Sequence, residues 1–337
     1  MSQRPVVIVD KLNSRTYTLI QLLGSGSFGD VFSATERTAS DRRGQTVVLK
    51  QFVKGKNEDQ RDFVFEYTKE FLIGQFLLES DLACHLQAVC AMRLFATQPG
   101  LVYLVFPFTG STSLHRFLPM YSQAVRLKQR TIREMQIVAL DIAERLLNAI
   151  AQVHAIGVIH QDIKPRNIVV KLDSNDFLKL TDLRLIDFGF ACTEAADKYA
   201  AAVAADRMHL SCATPGEPTE FFYKTTMSFQ DPLSLIDPAS KRRRRNFKIF
   251  NKTDFEAAFR KFDIYAAAVT IQLLIDSEQW ERVEFGYRIE IRQAAWLDAS
   301  DTALFRLLSE MTGPLAARRA ALQYSVEFEK LRNRLRV

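Results

Sequence analysis

The spacing of apolar residues changes character near residue 110, and that change limits the folds open to this chain. Before it, apolar runs are short and bounded by turn residues: "TYTLIQLL" (16–23), "DVFSAT" (30–35), "TVVLKQF" (46–52) and "LVYLVFPF" (101–108), the last ended by "TGSTS". One segment in this part, "DFVFEYTKEFLIGQFLLES" (62–80), instead sets Phe65, Leu72, Phe76 and Leu77 at helical spacing. After residue 110 the steps become three and four. "TIREMQIVALDIAERLLNAIAQVHAIG" (131–157) aligns Ile132, Met135, Val138, Ile142, Leu146, Ile150 and Val153 on one helical face. Thr131 and Glu134 form a capping-box signature at its start, and Gly157 lies near its end. Two strand signals, "NIVVKL" and "LRLIDF", interrupt before the helical pattern resumes. The chain therefore reads as α+β, a small β-rich part followed by a larger, mainly helical one.

Bulk properties narrow the class further. At 337 residues and 47% apolar, the chain can bury one large core or two. A net charge of +6 favours anionic ligands or partners without requiring them. No uninterrupted apolar stretch approaches the ~18 residues of a membrane span, and "MSQRPVVIVDKLN" lacks the apolar core of a secretory signal. Cys84, Cys90, Cys192 and Cys212 show no metal-type spacing and suggest no disulfide framework, which favours a reducing compartment. The expectation is an intracellular protein, cytoplasmic or nuclear. Nothing bears on its oligomeric state.

The groups that carry chemistry come in a definite order. "GSGSFGDV" sets Gly24, Ser25, Gly26 and Gly29 between two strands, where glycines let backbone approach a phosphate closely. By itself this is equally a Gly-rich hairpin. Lys50 ends the next strand, and Glu66 and Glu70 follow one turn apart on the helical segment. "HQDIKPRNIVV" (160–170) then gathers Asp162, Lys164 and Asn167 on a loop feeding a strand, and "IDFG" brings Asp187. Each charge alone is an ordinary surface residue. The ordered set is improbable by chance.

That set resembles the eukaryotic-type protein kinases of the serine/threonine branch, from about residue 16 to about 325. The resemblance implies a bilobal fold, a small β-rich N-lobe (16–108) and a larger, mainly helical C-lobe (109–337), within one kinase domain. It implies ATP and Mg²⁺ as cofactors and protein substrates as partners. Gly24, Ser25, Gly26 and Gly29 would cover the nucleotide phosphates, Val31 and Val48 would pack on the adenine, and Lys50 would hold the α- and β-phosphates, paired with Glu70 or, failing that, Glu66. Phe106 would be the gatekeeper of a tight adenine pocket, with Phe108 at the hinge. Asp162 would take the proton of the substrate hydroxyl, Lys164 would meet the γ-phosphate, and Asn167 and Asp187 would hold the metal. Asp263, in "KFDIYAAAVTIQLL", would cap the backbone of the 160–167 loop. Phe190, just after the Asp187-Phe188-Gly189 motif, implies Ser in preference to Thr, and Arg166 implies acidic residues near the acceptor.

The chain also departs from the pattern. Gln161 stands where an Arg commonly receives a phosphorylated activation segment. The A-P-E motif is not intact; "EPTE" (217–220) and "SFQDPL" (228–233) both compete for its place, with Arg318 a guess for the partner of the lost Glu. An insertion at about 233–256 carries the run Lys241–Arg245, readable as a nuclear-localisation signal, a nucleic-acid patch, a docking site or a solvated basic loop. Nucleic acid is the weaker reading, because no aromatics interleave with the charges. Two other functions stay open: a pseudokinase acting as nucleotide-binding scaffold or allosteric regulator, and a small-molecule kinase of the aminoglycoside-phosphotransferase type.

Overall fold

The computed structural model describes residues 6–26, 29–41, 43–56, 58–80, 86–127, 129, 131–176, 179–193, 252–275, 302–312 and 319–336. Both A-P-E candidates, the basic run and Arg318 lie outside them. The chain forms two compact units, Met1–Ala83 with Val89–Gly110, and Cys84–Ala88 with Ser111–Val337.

The first unit is an antiparallel sheet of β1 (Val7–Asp10), β2 (Arg15–Gly26), β3 (Gly29–Thr38), β4 (Gln45–Val53), β5 (Arg93–Gln98) and β6 (Leu101–Pro107), in the order β1-β2-β3-β4-β6-β5. Strand alternation sorts β4: Val47 and Leu49 are buried in one cluster with Tyr17, Ala34, Phe95, Tyr103 and Val105, while Val48 and Lys50 point to the other face. Phe95 stacks on Tyr17 at 5.1 Å and on Tyr103 at 5.2 Å, although β2 and β5 are far apart in strand order. The sheet must curl to bring them together, as its right-handed twist allows. Glu36, 1% exposed, bonds Arg15, Gln45 and Arg93 and so ties β2, β3, β4 and β5 at one rim. β1 and β5 carry too few alternations to stand out in the sequence. β1 is held by its partner instead, with Val7 opposite Thr18 and the Asp10 carboxylate accepting the N–H groups of Leu12 and Asn13 in the turn.

Helix α1 (Gln60–Glu79) forms where expected but buries a different face. Its interior stripe is Phe63, Glu70, Ile73 and Leu77, whereas Phe65, Leu72 and Phe76 are half-buried. The helix is apolar on nearly every side, so periodicity could not select the stripe. Packing does: Phe63 and Phe52 both meet the Tyr67 ring edge-on, and Gly74 lets the helix approach the backbone at Ala91, where a Cβ would sit 3.2 Å from the amide nitrogen.

The second unit carries α2 (Leu114–Arg126), α3 (Ile132–Ala155), α4 (Lys252–Ile275), α5 (Thr302–Thr312) and α6 (Ala321–Arg336). Short strands accompany them: β7 (Thr112–Ser113), β8 (Val158–Ile159), β9 (Ile168–Leu172), β10 (Leu180–Leu185) and β11 (Cys192–Thr193). The α3 capping box is complete, with Thr131 N–H donating to Glu134 at 2.7 Å and Glu134 N–H donating back to the Thr131 hydroxyl at 3.2 Å. At the other end Gly157 takes φ +83° and donates to His154 O. Ile142, Leu146, Ile150 and Val153 are buried as the spacing predicts. Tyr324 and Phe328 of α6 are buried too, and Arg332 bridges α6 to Asp141 (2.6 Å) and Glu144 (2.5 Å) of α3. β9 and β10 pair antiparallel, with Leu180 opposite Leu172.

Candidate functional site

In the first unit, the Gly-rich segment closes the β2–β3 hairpin, with Gly24 opposite Val31 and Gly26 opposite Gly29. Gly29 has φ +137°, and a Cβ there would fall 2.0 Å from Gln51 O, so the fold itself requires glycine. Gly24 differs: a Cβ would meet nothing within 4 Å, so packing does not explain its glycine. Across the strands Val31 faces Lys50 and Val48 faces Phe106, which puts all four on one face of the sheet. Phe106 is buried, while Phe108 is 43% exposed.

Lys50 and Glu70 are both buried, and Lys50 Nζ lies 2.7 Å from Glu70 Oε2. Glu70, which the sequence preferred with Glu66 as the fallback, is the residue that meets Lys50. The rotated burial of α1 is what carries it inward. A pair this deep is strongly destabilising to break, because the survivor keeps an uncompensated buried charge. The neighbouring Lys69 is also buried, and that burial pulls its ammonium down to about 7. Cys90 is a buried free thiol pushed up to about 12 by burial and then by the Glu70 charge, which leaves it inert.

In the second unit, Asp263 organises the 160–167 loop from α4. Its carboxylate accepts the N–H of His160 at 2.9 Å and of Gln161 at 2.8 Å, and lies 2.9 Å from His154 Nε2. His160 accepts from Asp162 N–H at Nδ1 and faces Ile186 O with Nε2 at 3.0 Å, which assigns the neutral Nε2–H tautomer. Its ring also contacts Phe188, centroids 4.8 Å apart. The Asp162 carboxylate accepts from Lys164 Nζ (2.8 Å) and from Asn167 Nδ2 (2.7 Å), and the same Nδ2 also reaches Asp162 O at 2.9 Å. Burial raises the Asp162 pKa. Lys164 works against that rise, and the charge of Asp187 adds to it. Ile186 N–H donates to Asn167 O, which ties the loop to the segment bearing Asp187, itself in the left-handed region at φ +65°.

Gln161 also adopts a left-handed backbone, φ +63°. Its side-chain amide donates to Cys192 Sγ at 2.7 Å, and Cys192 on β11 pairs with Ile159 on β8. This contact involves no formal charge. Cys192 is disulfide-bonded, which the sequence, suggesting no disulfide framework, did not signal. His154 and His160 were not singled out in the sequence. A His near a helix end and the His that opens the loop were the available signals.

The protein kinase domain family model matches residues 17–213, more than half of the chain. The chain belongs to the protein kinase domain family. The match stops before both A-P-E candidates, where the sequence departs from the pattern. The kinase domain is 27% identical over 184 residues to a serine/threonine-protein kinase of Drosophila persimilis, covering 55% of this chain and 21% of that one. It is 28% identical over 173 residues to serine/threonine-protein kinase D of Synechocystis, covering 51% and 30%. The chain thus spans only a fifth to under a third of the length of these relatives. Among solved structures, the kinase domain of a Toxoplasma gondii specific rhoptry antigen aligns with TM-score 0.62 at 15% identity, over 98% of this chain and 86% of that one, a likeness of fold.

Kinase domains use ATP and Mg²⁺, and the donor set fits a hard cation. Asn167 commits Nδ2 to Asp162, which leaves Oδ1 as its remaining side-chain donor atom, and Asp187 supplies a carboxylate. Among the described residues no group of three or more His, Cys, Asp or Glu could hold a metal ion. No helix among the described residues is long and apolar enough to cross a membrane. Arg319, next to the guessed Arg318, forms a two-pronged pair with Glu310 at 2.6 and 3.2 Å.

Proposed function

We propose that this kinase domain is an active, ATP- and Mg²⁺-dependent serine/threonine kinase that phosphorylates protein substrates. The observation that carries this reading is the buried Asp162 carboxylate gripped by Lys164 and Asn167. A carboxylate held this way is oriented, and its raised pKa makes it a better proton acceptor than an ordinary Asp. The substrate hydroxyl gives its proton to Asp162 while its oxygen bonds the γ-phosphorus. The bond from that phosphorus to the β–γ bridging oxygen breaks, and ADP leaves. Lys164 offsets charge on the transferred group, and Lys50, fixed by Glu70, holds the α- and β-phosphates. Gly24, free of packing demands, leaves room for a phosphate to approach the backbone. Asn167 and Asp187 would hold the metal, which when bound would neutralise phosphate charge. Phe190, large and unbranched beside this machinery, goes with a Ser acceptor in preference to Thr.

The test is to incubate the protein with Mg-ATP and a degenerate peptide array, beside Asp162→Asn, and to identify the phosphorylated residue. Phosphoserine from the wild type and near-silence from the variant is the expected result. Nucleotide binding without transfer would make the chain a pseudokinase regulator instead, the reading Gln161 favours. Transfer to aminoglycosides but not to peptides would place it with the small-molecule kinases.

A further inference from the structure

We infer that the loop carrying Asp162 selects substrates with an anionic side chain close to the acceptor hydroxyl, through Arg166. This deepens the kinase reading and rests on it. Arg166 sits in the 3-10 turn Pro165–Asn167, between the two residues that grip Asp162, yet its own side chain is exposed while its neighbours Pro165 and Asn167 are buried. Its guanidinium makes no ion pair or hydrogen bond among the described residues, whereas Lys164, two positions back, is neutralised by Asp162 at 2.8 Å. The fold therefore leaves one cation uncompensated within a turn of the proton acceptor.

The surroundings point the same way. The elements packed against this turn are α2, β7 and β9. Their charged and titratable residues are His115, Arg116, Tyr121 and Arg126 on α2 and Lys171 on β9, with no carboxylate on any of the three. Arg116 and Lys171 are exposed. No carboxylate of these elements therefore stands against Arg166, and Asp162, the carboxylate of its own loop, already has its cation. A guanidinium pairs with carboxylate or phosphate in a two-pronged geometry, so Asp, Glu or a previously phosphorylated residue shares the chemistry required. A substrate Arg or Lys would meet repulsion. At an exposed site the effect on catalytic efficiency is on the order of fivefold and shrinks with added salt.

The experiment compares kcat/KM for four Ser peptides that differ only beside the acceptor, carrying Ala, Glu, phosphoserine or Arg, in wild type, Arg166→Glu and Arg166→Lys. Wild type should favour Glu or phosphoserine over Ala by roughly fivefold and disfavour Arg. Arg166→Glu should invert that order, and Arg166→Lys should keep the Glu preference while losing part of the phosphoserine preference. A gain with phosphoserine alone would assign the site to primed substrates, and a gain with both to acidic ones. If the Ala peptide is phosphorylated but the order is the same in all three proteins, the inference fails and the kinase reading stands. If no peptide is phosphorylated while Mg-ATP binds, both fail.

Discussion

In the reaction proposed above Asp162 is the residue on which the transfer step turns, and its environment sets the pH at which it would work. As the base it must be ionised, and burial lifts its pKa above the ~3.9 of a free Asp side chain. The acidic limb of the kcat/KM profile should therefore fall above the ordinary Asp range, and a limb at or below that range would show that another group is titrating. The same shift fixes the sign for stability: a carboxyl raised in the folded state favours folding when protonated, and that contribution is lost as pH rises through the folded pKa. Asp162→Asn should thus keep or raise the thermal midpoint at pH 7 while cutting phosphotransfer by ~10²-fold or more. Lys50→Met should lose activity on a similar scale, by leaving phosphate unpositioned. Near-normal turnover of either variant in a purified preparation would overturn the assignment. At this scale much was legible. The types and order of Lys50, Asp162, Asn167 and Asp187 stand in the sequence, and so does the preference for Glu70 over Glu66; both lie on the same turn-spaced row, and the 2.7 Å contact is what the fold adds.

At the scale of elements, α1 shows what periodicity cannot resolve. A helix with apolar residues all round gives no preferred face, so the buried stripe follows the partner surface around Phe52 and Tyr67. That orientation also buries Lys69. Its ammonium, pulled down to about 7, titrates near 10.4 when unfolded, so the unfolded chain binds the extra proton between those values and stability rises with pH across that window. Lys69→Met should raise the unfolding midpoint, and by more at pH 6.5 than at pH 9.5; an equal gain at both would mean burial is not the cause. The opposite case is α3, whose face and capping box were both readable because amphipathic contrast and the Thr131–Glu134 spacing are local properties. β1 and β5 were missed for the complementary reason: short edge strands owe their existence to neighbours, not to their own pattern.

For the whole molecule the consequence concerns control. Activation-segment phosphorylation orders kinase domains by giving a phosphate a cationic receptor. On the proposed reading Gln161 takes that position; its backbone is held by Asp263 and its amide donates to Cys192, contacts that need no phosphate. Phosphatase treatment should therefore leave activity within about twofold of the untreated protein. A large loss, restored on rephosphorylation, would show that another cation serves as receptor.

By itself the sequence determined the two-part α+β organisation, the family and the chemical types at the site, because these depend on local periodicity and on residues whose chemistry is the same wherever they sit. The tertiary structure decided the 2.7 Å contact between Lys50 and Glu70, how His160 braces the loop whose backbone Asp263 caps, that Cys192 is disulfide-bonded, and that Arg166 alone in its loop is exposed and without an ion pair among the described residues. Those outcomes depend on distances between residues far apart in the chain, and burial alone sets which of their charges is neutralised, shifted or left facing solvent.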